Sequence, residues 1–251
     1  MNKKNKVIIL SLLPSLLFAM NDENGPSQES QDYAKKVLTE LGLPLPGSGI
    51  HIIPRSLMSL PPEAIEEHNK IDAQMKTQGF VKENTTRPTE LLNFKDHAKT
   101  EFAMYNHNDS DRGTHLRHSV SELKMAYIFK GVPKSEMTHY IGIAPQGSYH
   151  NEGWSGAGQF FDNKHVGSCA YGEMSVKVTN TAVTLAMEGV SYEVNNKPTV
   201  MYVIGNKNSG YLYKIRWFDD DYFRELECAN MNYSANITKK FIELAQRIDS
   251  N

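Results

Sequence analysis

This chain is short of cysteine, of basic charge and of long hydrophobic runs. It has two cysteines among 251 residues, 27 Lys and Arg against 29 Asp and Glu, and no internal repeat or low-complexity tract. With no basic run to neutralise a phosphate backbone, nucleic acid is excluded as a main partner. The same shortage argues against attraction to an anionic membrane surface. Beyond residue 19 no apolar stretch approaches the roughly 20 residues that span about 30 Å of hydrocarbon, so stable membrane insertion is not expected.

What is present begins with a signature of export. Lys3, Lys4 and Lys6 precede an apolar run from Val7 to Phe18, and the polar MNDENGPSQES follows at once. A basic start, about a dozen apolar residues and an abrupt polar exit describe a secretory signal peptide over residues 1–19. Pro14 would break a longer helix there. Cleavage is expected near Ala19, although Leu17 stands where a small residue is usual. Losing three lysines and no acidic residue takes the net charge from −2 to −5, a mildly acidic surface. The expected location is secreted or periplasmic, and the low cysteine count favours a bacterial source. In an oxidising compartment an even cysteine count reads as a disulfide, here Cys169 with Cys228. The rival reading is a catalytic thiol at Cys169 within GSCAYG, but no matching His motif accompanies it.

Two stretches follow the signal: an N-terminal disordered or helical segment over 20–80, then an α+β domain over 81–251. In the first segment Tyr33, Val37, Leu38 and Leu41 recur at helical spacing and Gly42 stops the run. A second helix is expected in PPEAIEEHNKIDAQMKTQGF, with prolines at its start, glutamates in its first turn and Gly79 at its end. Residues 81–119 read as polar loop with a strand near Glu101 to Tyr105. LKMAYIFK (123–130) and HYIGIA (139–144) read as strands. The tail holds further β-rich runs, separated by Asn195-Asn196, by Asn206 to Gly210 and by Asp219 to Asp221. Tyr211, Tyr213, Ile215 and Trp217 alternate with Leu212, Lys214 and Arg216, one apolar face against one mixed face. Around 180–190 the pattern fits a short helix capped by Asn180, or a strand through Val183, Leu185 and Met187; the helix is preferred for its cap. Ile237, Phe241, Leu244, Ala245 and Ile248 form the stripe of an amphipathic C-terminal helix. The expected fold is therefore α+β: an antiparallel meander sheet packed by that helix, with a helical segment before it.

Two segments hold candidate chemistry. DHAKTEFAMYNHNDSDRGTHLRHS carries His97, His107, His115 and His118 among aspartates, ligand types suited to zinc. No zinc-protease or zinc-finger spacing is present, and a solvated polar loop explains the same residues. The second segment, APQGSYHNEGWSGAGQFFD, places Tyr149, His150, Trp154 and Phe160 among glycines. Exposed aromatics in a glycine-rich loop can form a binding surface for peptide, glycan or protein, whereas a packed Trp154 would simply fill the core. Gly153-Trp154-Ser155-Gly156-Ala157 brushes the serine nucleophile-elbow pattern without the strand and helix that motif needs. The leading reading is an exported, non-enzymatic binding protein without a cofactor. The alternative is a metal-dependent hydrolase using the histidines of 97–118.

Overall fold

Alternating residues dominate the second half of the chain, and a sheet is what they build. The computed structural model describes residues 49–251 apart from 59, 105–112 and 151–152. The signal peptide, the helix expected around Tyr33 to Leu41, and His107 lie outside the described residues. In chain order the elements are β1 (Gly49–Ile53), α1 (Pro62–Gln78), β2 (Val81–Lys82), α2 (Arg87–Leu92), α3 (Phe94–Met104), β3 (His139–His150), β4 (Gly153–Asn163) and β5 (Gly167–Ser175). There follow α4 (Val176–Thr179), β6 (Ala182–Ala186), β7 (Tyr192–Val194), β8 (Lys197–Asn206), β9 (Gly210–Phe218), β10 (Tyr222–Asn230) and α5 (Ala235–Asp249).

The large sheet has eight strands in the order β2-β8-β9-β10-β5-β4-β3, with β7 also on β8. It consists of two antiparallel meanders, β3-β4-β5 and β8-β9-β10, joined where β10 runs antiparallel to β5. At that seam Cys169 and Cys228 stand directly opposite each other and are bonded, with their Cα atoms 4.1 Å apart. The fold is α+β as expected, and the sheet is mixed because β2 joins β8 in parallel. A separate parallel pair, β1 with β6, stands outside it.

Local chemistry sets the turns. Asn195 and Asn196 adopt φ of 49° and 63°, the left-handed pair that a tight hairpin requires and that asparagine tolerates. Asp219 Oδ1 accepts the amides of Asp221 and Tyr222 and closes the β9–β10 turn. Gly79 ends α1 at φ 78°. Ser234 caps α5 by accepting the Ile237 amide at 3.1 Å.

One face of the sheet is packed by α5. Phe241, Leu244, Ala245 and Ile248 meet Tyr213, Ile215, Trp217, Leu226 and Val203 in the main core. The helix is also locked at its C-terminal end. Asp249, its side chain 2 % exposed, accepts from Trp217 Nε1 at 2.9 Å and from Lys197 Nζ at 2.6 Å.

Four local expectations change. Within the stretch read as loop with a strand near Glu101, Arg87–Leu92 and Phe94–Met104 are helical. Phe94, Ala98 and Phe102 fall four apart and pack against Leu116 and Ile141, a period that the intervening charges concealed. Residues 123–130 form no strand: only Met125 bridges, to Trp154, as the segment crosses the end of β4. The glycine-rich 153–163 is strand β4 rather than a loop. Finally, 182–186 is a strand. Asn180 is left-handed at φ 49° and terminates α4, whose N-cap is Ser175, so the chain leaves it extended and pairs with β1.

Candidate functional site

The sheet face opposite α5 is only partly covered. Leu91 of α2 packs on Leu212 and Ala229, while Phe94, Ala98 and Phe102 of α3 pack on Ile141, Ala144 and Phe160. Phe94 and Phe160 stack with ring centroids 4.0 Å apart. Beyond these helices the face carries Lys214 and Arg216 from β9 opposite Glu227 and Glu225 from β10. Lys214 Nζ lies 2.6 Å from Glu227 Oε1 and 2.9 Å from Glu225 Oε2, Arg216 also bonds Glu225, and Arg87 reaches Glu227 Oε2 at 2.9 Å.

The pairing has consequences for titration. Burial alone would raise the Glu227 carboxyl, but Lys214 and Arg87 outweigh it and hold the group below the ordinary carboxylate range. Burial likewise opposes the charge of Lys214, and its acidic neighbours, Glu225 foremost, override that and raise its affinity for the proton.

Two adjoining cavities occupy this face. One, of about 480 Å³ counting its open mouth, is lined by Arg87, Gln146, Phe160, Met174, Phe223 and Glu225 among others. The other, of about 960 Å³ on the same measure, is lined by Arg87, Glu90, Phe94, His97, Leu116 and Phe160 among others. Arg87 and Phe160 line both, so the two adjoin as a groove, its first part over β4, β5 and β10 and its second between α2–α3 and β3–β4. Its floor explains two glycines. A Cβ on Gly158 or Gly172 would meet the Gln146 side chain at 2.4 or 2.8 Å, so only bare backbone lets Gln146 lie across β4 and β5.

The candidates read from the sequence scatter over this framework. Phe160 and His97, taken from the two separate segments, line the same cavity. Trp154 is buried at 7 % exposure, edge-on to Tyr149 at 5.6 Å. His118 stacks on Phe102 at 4.1 Å, and the His115 carbonyl accepts from Arg117 Nη1 at 2.6 Å. Among the described residues no three His, Cys, Asp or Glu side chains gather as a metal site would require. Ser155 is fully buried in β4 and its hydroxyl accepts the Ser148 amide, which is not the exposed elbow of a nucleophile.

Sequence reasoning missed two features. Arg87, Gln146, Glu225 and Glu227 of the groove gave no motif, although the mixed alternation of β9 pointed to a polar face. The other is a serine–histidine pair: Ser148 Oγ lies 2.5 Å from His150 Nε2, and burial lowers the His150 pKa, which favours the neutral ring. The Ser148 amide is already spent on Ser155. Among the described residues no carboxylate orients His150 as the third member of a triad would. Comparison with known protein families, curated proteins and solved structures finds no match for this chain.

Proposed function

We propose that this is an exported binding protein whose ligand lies in the groove that α2–α3 leave on the sheet face opposite α5. One observation carries the reading: the two cavities adjoin through Arg87 and Phe160 and bring aromatic, amide and charged side chains to one concave surface. Export rests on the N-terminal sequence and agrees with a disulfide buried at the sheet seam. No helix among the described residues is long and apolar enough to cross a membrane.

The test is to titrate isotope-labelled protein with a set of sugars, amino acids and short peptides and to follow backbone amides by NMR. Shifts should concentrate on residues 87–97, 144–146, 158–160, 170–174 and 223–227. Shifts confined to the α5 face, or none with any probe, would sink the reading.

A further inference from the structure

Resting on that groove, we infer that its ligand is a neutral, hydroxyl-rich oligosaccharide. Charge decides the class first. Glu227 faces Lys214 and Arg87, Glu225 faces Lys214 and Arg216, and Glu90 lies 3.8 Å from Arg87. Three cations, Arg87, Lys214 and Arg216, thus stand against three carboxylates, Glu90, Glu225 and Glu227, and an ionic ligand would unbalance that set and compete with these pairs for their partners, a penalty that offsets what it gains.

Neutral hydroxyls meet no such barrier. Both bonds that Glu225 accepts end on Oε2, so Oε1 retains its lone pairs. Arg87 directs Nε and Nη2 to Glu227, while its Nη1 has only the 3.8 Å approach to Glu90. Gln146, exposed over Gly158 and Gly172, adds an amide with two donors and an acceptor. The groove lining thus offers both donors and acceptors, which suits a hydroxyl because it does both. Phe223, together with Phe160 where its stack with Phe94 leaves it open to the cavity, supplies apolar surface on which the carbon side of a sugar ring can rest. Two adjoining cavities favour several linked rings over one.

An extended peptide fits less well. β4, β5, β10 and β9 each have a strand on both sides, so the floor offers no free backbone edge for strand addition.

The experiment screens the full mature chain on an array of neutral and acidic glycans and maps the hits by amide NMR, with tetralysine and tetraglutamate titrated alongside. A neutral oligosaccharide should shift the amides of Gln146, Gly158, Gly172 and Glu225. Gln146→Ala should weaken it about tenfold, the effect of one lost hydrogen bond, with the melting temperature unchanged. Binding there by acidic glycans or charged peptides alone overturns the neutral assignment and leaves the groove as a binding site. Silence from every probe overturns both.

Discussion

Glu227 shows how one side chain can be read as a stability statement. Lys214 and Arg87 hold its carboxyl below the ordinary range against the effect of burial. Asp219 is also depressed: burial opposes this, and the bond and charge of Arg224 prevail. In the unfolded chain both groups bind protons near pH 4. Below that the unfolded state holds more protons than the folded one, so stability rises with pH. The stabilisation is fully present above about pH 5 and is lost as the pH falls through the depressed folded values. Urea midpoints measured from pH 7 to pH 3 should fall across that window, and Lys214→Met should flatten the slope. A profile unchanged in the variant would show that Lys214 does not set it. Trp154 makes a different prediction. It is buried against Tyr149, so Trp154→Ala should cost about 3–5 kcal/mol in a denaturant melt, as large core truncations do. A loss under about 0.5 kcal/mol, the range of surface changes, would instead mark it as an exposed residue.

At the level of elements, the sheet depends on a seam that local sequence does not specify. β5 and β10 are far apart in the chain, and Cys169 with Cys228, 59 residues apart, fasten them. Their 4.1 Å Cα separation belongs to a close, non-hydrogen-bonded pair, typically about 4.5 Å apart. Replacing both by Ala should lower stability by about 4 kcal/mol in the chain-entropy description, read from urea melts. Both cysteines are buried, at 1 % and 0 % exposure. Reductant followed by iodoacetamide should therefore label neither in the native protein and both once urea is added. Native labelling would mean the seam opens readily. The cap of α5 is a smaller matter: Ser234→Ala should cost about 1 kcal/mol, because the Ile237 amide loses its acceptor.

Across the whole molecule, the rival to a binding protein is metal-assisted hydrolysis by the histidines of 97–118. Among the described residues His97 lines the groove while His118 stacks on Phe102, and no three-ligand group forms. Purified protein should retain no stoichiometric zinc by elemental analysis, and chelator should leave its melting temperature unmoved. Retained zinc together with a chelator-sensitive melt would favour the hydrolase over the binding protein. The compartment is tested separately: an uncut precursor in the cytosolic fraction, with both thiols open to alkylation, would contradict export.

Periodicity and turn chemistry carried much of the fold in the sequence itself. The alternation from Tyr211 to Trp217 specified one buried and one mixed face, Asn195-Asn196 specified a hairpin, and the stripe from Ile237 to Ile248 specified the helix that packs the sheet. These are short-range signals, set by side-chain direction and backbone dihedral preference within a few residues. The pairing of β10 with β5, the turn of 94–104 into a helix over the sheet, and the gathering of Arg87, Gln146, Phe160 and Glu225 were decided only by tertiary structure. Each depends on which distant surface a segment can bury against, and that partner leaves no period in the segment's own sequence.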